Sequence, residues 1–218
     1  MPLQHVTGNC AFAPNGLMRK NDAGCSMSRQ EEYHSAALEH TLENEMNSNG
    51  NPGTALAGVP VTLNGNFPQV GRPAPSFSLV SKDLKDVTLR DYGSRRKVLN
   101  IVPSLDTPTC QKSARRFNAE AANLPDTVVI NISADLPFAM ARFCSSEGLN
   151  NVDNLSTMRG REFMRDYGVE MADGRMAGLT ARAVVILDGN NIVRYAEMVS
   201  DIRKEPDYEA ALAALRAI

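Results

Sequence analysis

Residues 97–110 read KVLNIVPSLDTPTC. The first six, KVLNIV, form a short run of branched apolar residues, the mark of a strand buried on both faces of a parallel sheet. Beyond the PSLD turn a helical pattern begins. Cys110, Ala114, Phe117 and Ala121 fall at i, i+4, i+7 and i+11, so one apolar face starts at the cysteine. TVVINI at 127–132 repeats the sequence of buried strand and then helix, and two such units define an α/β chain.

Outward from this centre, a second helix is expected from Pro137 to about Glu147, stopped by Gly148, with Cys144 in its last turn. A third is expected from Arg159 to Tyr167, before Gly168. Ala183–Leu187 and Ile192–Met198 flank Asp188-Gly-Asn-Asn191, a turn signal that makes them an antiparallel hairpin. DYEAALAALRAI at 207–218 closes the chain as an alanine- and leucine-rich helix. Upstream, Val59–Leu63, Phe77–Leu79 and Val87–Leu89 are strand candidates between turns marked by Gly65, Pro68, Gly71, Pro73 and Pro75.

Residues 1–53 differ in kind. They are rich in Asn, Gly, Ser and Met, only Gln30–Met46 reads as helical, and NSNGNPG at 47–53 breaks the pattern. The expected organisation is a flexible extension over 1–53 and one domain over 54–218.

With 43% hydrophobic and 22% charged residues and a net charge of -2, the composition carries no bias toward polyanions, and nucleic acid is not an expected partner. No stretch approaches the roughly 18 apolar residues of a membrane span, and MPLQHVTGNCAFAPNGLMRK lacks the apolar run of a secretory signal. A cytoplasmic protein is the expectation. Cysteines stand at 10, 25, 110 and 144, too few and too scattered for a disulfide framework. His5, Cys10, Cys25, His34 and His40 fit no tight ligand spacing, so no metal site is expected. All three histidines lie in the extension, which leaves the domain no base for Cys-His or Ser-His-Asp hydrolysis.

Cys110 joins the end of a buried strand to the start of a helix, where free backbone N–H groups gather. The positive end of the helix dipole favours thiolate over thiol, and the thiolate is the nucleophile. A buried structural cysteine is the alternative. Pro108 suits the first helical turn, Thr107 can cap the helix or point its hydroxyl at the sulfur, and Pro103 can hold the loop rigid.

Pro103, Thr107 and Cys110 match the PxxxTxxC motif of peroxiredoxins. LAGVPVTLNGNFPQVG, SKDLKDVTL, RKVLNIVPSLDTPTC, ISADLPFAMARFC, EGLNNV, GLTARAVVILD and EPDYEAALAAL resemble the thiol peroxidase branch of that family, the atypical 2-Cys type, from roughly Leu56 to the C-terminus. The resemblance implies a thioredoxin-like α/β fold: a central mixed sheet flanked by helices, with an N-terminal β-hairpin. It implies that Cys110 attacks hydrogen peroxide or an organic hydroperoxide, with Thr107 bonding the peroxide and Arg182 of GLTARAVV facing the thiolate. On residues alone, an exposed charge at a strand end is the reading of Arg182 to prefer, because a lone arginine before a strand is commonplace.

Attack gives a sulfenic acid, which needs a thiol to condense with. The resemblance makes Cys144, 34 residues downstream, the resolving cysteine of the same chain. Its alternative is a small core residue beside Phe143. A disulfide needs Cα atoms within roughly 7 Å, so residues on two helices must unwind locally to meet. The family also implies a thioredoxin-type reductant, a homodimer and no cofactor. A thioredoxin-like dithiol exchanger would carry Cys-x-x-Cys at this turn, where Thr107 takes the first position and cannot resolve a mixed disulfide. Two further readings stay open: a peroxide-responsive redox sensor or relay, and a one-cysteine peroxidase in which Cys144 is structural.

Overall fold

The computed structural model describes residues 52–121 and 123–218. The helix expected over Gln30–Met46, and the cysteines and histidines of the extension, lie outside the described residues. β1 (Thr54–Leu56) and β2 (Val59–Val61) form the antiparallel hairpin expected at the start of the domain. Its two-residue turn holds Ala57 and Gly58 at φ 58 and 79, the backbone that a tight hairpin requires. β3 (Leu63–Asn64) follows at once, because Thr62 leaves the strand path: its N–H donates to the Asp173 carboxylate at 3.2 Å.

β4 (Ser78–Val80) and β5 (Asp86–Thr88) come next. The strand read over Val87–Leu89 stops at Thr88, because the Asp91 carboxylate accepts from both the N–H (2.7 Å) and the hydroxyl (2.8 Å) of Thr88. That cap starts a short 3-10 turn at Leu89–Tyr92. The two runs that define the α/β reading become β6 (Arg96–Ile101), followed by α1 (Pro108–Ala121), and β7 (Thr127–Ser133), followed by α2 (Pro137–Glu147). Gly148 ends α2 in the left-handed conformation, φ 65, donating back to carbonyls of its last turn.

β8 (Val152–Ser156) was not expected from the sequence. Then α3 (Glu162–Asp166) occupies the middle of the Arg159–Tyr167 helix read from the pattern. Gly160 lies against the Ser78 carbonyl, where a Cβ would stand 2.0 Å from the oxygen, so the chain there serves a close strand approach rather than a helical turn. β9 (Glu170–Met171), β10 (Ala183–Leu187), β11 (Val193–Met198) and α4 (Tyr208–Arg216) complete the order. The Asp207 side chain caps α4 through the Ala210 N–H.

The central sheet runs β11-β10-β6-β7-β8-β4-β5. β6, β7 and β8 are parallel, and β10, β11, β4 and β5 pair antiparallel at the two ends, so the sheet is mixed. β6 and β7 are buried along nearly their whole length, as continuous apolar runs should be. On one face, Leu99, Ile101, Ile130, Ile132 and Leu155 pack with Phe163, Met164 and Tyr167 of the α3 region. On the other, Val98, Val129 and Val184 pack with Phe117 of α1 and Leu212 of α4. No helix of the described residues is long and apolar enough to cross a membrane.

Candidate active site

β6 ends at Ile101, the Val102 N–H continues the ladder to the Ile132 carbonyl, and the chain bends through Pro103 into α1. The Asp135 carboxylate fixes this loop by accepting from the Leu105 N–H at 2.7 Å and from the Ser133 hydroxyl at 2.9 Å. The Thr107 carbonyl accepts from the Gln111 N–H at 3.0 Å, which places Thr107 at the cap and Cys110 in the first turn. Cys110 is fully buried.

Two donors from separate elements converge on its sulfur. The Thr107 hydroxyl lies 2.8 Å from Sγ and 3.1 Å from the Ser104 carbonyl. Arg182, the residue before β10, sends Nη2 to Sγ at 3.2 Å while its Nε donates to the Ile202 carbonyl at 2.9 Å. Arg182 is only 2% exposed, and its Nη1 has no hydrogen-bond partner among the described residues. A buried guanidinium with an unspent N–H beside a sulfur is a site built for an anion or a polarised oxygen.

The loop that holds Arg182 is itself braced. The Arg203 guanidinium grips the Asp201 carboxylate at 3.0 and 3.1 Å and holds that carboxyl well below its usual range. The Gly58 N–H and Thr54 hydroxyl of the N-terminal hairpin donate to Asp201 and to the Val199 carbonyl. Thr109 of α1 bonds the Arg203 carbonyl at 3.2 Å.

Pro103 is buried at the bend after β6. Its ring has no N–H to offer the sulfur, so it acts on the loop's shape alone. Cys144 lies in the last turn of α2, also buried, and both cysteines are free thiols in one apolar cluster with Val102, Leu105, Met140 and Phe143. Burial pushes the Cys144 thiol above its ordinary value, and a hydrogen bond with Asn154 partly offsets the rise. A cleft of about 740 Å³ opens beside Cys144, between α2, β8 and the Tyr92 turn.

Thr107, Cys110 and Arg182 thus meet at one point, with Cys144 in the same cluster. Sequence reading overlooked Asp135, Asn154 and the strand that carries Asn154. For Asp135 and Asn154 the one-dimensional signal is slight, since the partners that matter, the Leu105 N–H for one and Asn131 and Cys144 for the other, lie 10 to 30 positions away. Among the described residues no group of His, Cys, Asp and Glu could hold a metal ion.

The mixed sheet thus carries a buried cysteine at the β6–α1 turn, faced by a hydroxyl and a guanidinium. Residues 69–212 match the Redoxin family model. The chain is 47% identical over 165 residues to the thiol peroxidase of Streptococcus sanguinis, a match covering 76% of this chain and 99% of that one. The solved structures to which it is similar include two of this kind. A peroxiredoxin-like protein from Aquifex aeolicus gives a TM-score of 0.71 at 37% identity, covering 76% of this chain and 96% of that one. A thiol peroxidase from Chromobacterium violaceum gives 0.70 at 28%, covering 76% and 95%. The chain belongs to the Redoxin family, in the thiol peroxidase branch of the peroxiredoxins, and is an oxidoreductase of that type.

Proposed function

We propose that Cys110 reduces hydrogen peroxide and organic hydroperoxides and that Cys144 resolves the product as an intramolecular disulfide. The observation that carries the reading is the convergence of Thr107 and Arg182 on the Cys110 sulfur, with Nη1 of Arg182 left over. The Cys110 thiolate attacks one peroxide oxygen, the O–O bond breaks, and the departing oxygen leaves as water or alcohol once it takes a proton. The sulfur keeps the other oxygen as a sulfenic acid.

Charge passes from sulfur to the departing oxygen during this step. On this reading Nη2 and the Thr107 hydroxyl stabilise the thiolate, and the unspent Nη1 binds the oxygen on which charge grows, so the stabilisation increases toward the transition state. Thr107 and Thr109 are half-exposed while Cys110 is buried, so the peroxide approaches from the threonine side. Cys144 then displaces the hydroxyl from the Cys110 sulfenic acid, forming the S–S bond and releasing water. A thioredoxin-type dithiol in a reducing, cytoplasmic setting restores both thiols, and the enzyme works as a homodimer.

The test is single-turnover oxidation by stoichiometric hydrogen peroxide and cumene hydroperoxide, in wild type, Cys110→Ser and Cys144→Ser, followed by mass mapping. Expected are fast peroxide loss that vanishes with Cys110→Ser alone and a Cys110–Cys144 bridge in wild type. Slow oxidation independent of Cys110 would overturn the proposal, and persistent Cys110 sulfenic acid beside a free Cys144 would reduce it to one-cysteine chemistry.

A further inference from the structure

A row of amides, the first two buried and the third half-buried, crosses the three parallel strands. The register pairs Asn100 of β6 with Asn131 of β7, and Asn131 with Asn154 of β8. Asn100 Nδ2 donates to Asn131 Oδ1 at 2.7 Å, and Asn131 Nδ2 donates to Asn154 Oδ1 at 3.1 Å. Asn154 Nδ2 then lies 3.2 Å from Cys144 Sγ, with its Oδ1 3.4 Å from the same sulfur. Each amide donates in the same direction, toward the cysteine. Asn100 and Asn131 are no more than 1% exposed, in positions where a doubly covered parallel sheet ordinarily carries Val or Ile. Buried amides in such positions cost stability unless each is hydrogen-bonded; these bond one another and end at a thiol, while the Asn100 Oδ1 at the head of the row has no partner among the described residues.

We propose that Asn154 is a catalytic residue of the resolving step, favouring the Cys144 thiolate before the last turn of α2 yields and the sulfur moves to attack the Cys110 sulfenic acid, and that Asn131 and Asn100 are positioning residues behind it. The inference rests on Cys144 being the resolving thiol. One amide serves both protonation states: Oδ1 can accept from the thiol S–H, and Nδ2 donates to the thiolate. The attack forms the S–S bond, breaks the S–O bond of the sulfenic acid and releases hydroxide. The proton that left Cys144 converts the hydroxide to water, so no further oxidant or reductant enters. Asn131 bonds Oδ1 and so turns Nδ2 toward sulfur, and donation along a row polarises each successive N–H.

The need for such a donor is physical. Burial raises the Cys144 thiol, and Asn154 is the group that works against that rise. The cleft beside it carries Lys82, Asp83, Asp91, Arg95 and Asp153, with the Tyr92 hydroxyl next to Asp153. Burial and the Asn154 hydrogen bond are the two causes that act on the Cys144 thiol in opposite directions.

The test uses the full chain with Asn154→Asp, which keeps the shape and the acceptor but loses the donor, and Asn154→Leu, which loses both without adding charge. After one equivalent of hydrogen peroxide, peroxide loss should be unchanged, while the Cys110–Cys144 disulfide forms roughly tenfold more slowly in either variant. In the Cys110→Ser chain, iodoacetamide alkylation of the Cys144 peptide should move its pH midpoint up by roughly one unit. Asn131→Val should move the midpoint the same way by less. Wild-type disulfide rates with an unmoved midpoint in both Asn154 variants would overturn the proposal, whatever their thermal stability. If Cys144→Ser turns over at the wild-type rate with the same reductant, the resolving assignment itself falls. The alkylation midpoint still reports separately whether Asn154 tunes the thiol.

Discussion

Replacing Thr107 with Val removes one hydroxyl and almost no volume, and the backbone around it tests whether the effect is chemical. The Thr107 carbonyl still accepts from Gln111 at 3.0 Å and its N–H still donates to Ser104 at 3.2 Å, so the start of α1 survives the change. What disappears is the hydroxyl's 2.8 Å contact to Cys110 Sγ and its 3.1 Å contact to the Ser104 carbonyl. The hydroxyl has a single proton and two acceptors, Ser104 O at 3.1 Å and the sulfur, so it turns to sulfur when sulfur carries the charge. A hydrogen bond to a charged group contributes about 1.5–3 kcal/mol. At about 1.4 kcal/mol per factor of ten, Thr107→Val should consume peroxide about 10- to 100-fold more slowly, while Thr107→Ser stays within about threefold of wild type. The chain has no tryptophan to report the reaction by fluorescence, so rapid acid quench with assay of residual peroxide is the suitable measurement. A Val variant as fast as wild type, or a Ser variant as slow as Val, would refute the role of the hydroxyl.

Arg182→Gln removes the charge, the Nη2 donor at the sulfur and the unspent Nη1, and the peroxide rate should fall about 100- to 1000-fold, as when an oxyanion donor is lost. A loss under tenfold would place the arginine outside the reaction. Asp201 is held below the ordinary carboxylate range chiefly by Arg203, so its contribution to stability is present above the unfolded carboxylate pKa and is lost as pH falls below it. The Tm of wild type should therefore drop more steeply than that of Asp201→Asn from about pH 5 downward, and parallel curves would contradict the linkage. Gly160→Ala would drive a Cβ to 2.0 Å from the Ser78 carbonyl, and it should lower stability by about 2–4 kcal/mol in a urea titration. A neutral result would mean that β4 can yield.

Elements that carry their own signal were legible in the sequence. KVLNIV and TVVINI are buried strands because their composition admits little else, and Pro137–Glu147 is bounded as read because Gly148 sits at its end in the left-handed conformation. Elements defined by distant partners were not. β8, VDNLS, is a strand because it pairs with β7, and nothing in its alternation says so. Val59–Leu63 breaks at Thr62 through Asp173, a partner 111 positions away. The site divides in the same manner. Thr107 and Cys110 belong to one turn and could be weighed locally, whereas Arg182 reaches the sulfur because Ala183 pairs with Ile101 across β10 and β6. That register lies outside any linear pattern. The amide row gave a faint trace, since LNI and INI each place an Asn inside an apolar run, but alignment of the two with Asn154 is a property of the folded sheet.

The two cysteines are held in unequal ways, and the inequality bears on how a disulfide could form between them. Cys110 is fixed from three directions: its own helix turn, the Thr107 hydroxyl, and an arginine clamped by the Ile202 carbonyl and braced through the 199–203 loop and the N-terminal hairpin. Cys144 is held by apolar packing and one amide, at the end of a helix that has no side-chain cap at its start and leaves Leu136 and Phe138 exposed there. Displacing Cys110 would dismantle the groups that stabilise its charge, whereas displacing Cys144 gives up a single polar contact and part of one cluster. On the two-cysteine reading, the last turn of α2 is therefore the part that yields, and the peroxide-binding geometry around Arg182 outlasts the oxidation.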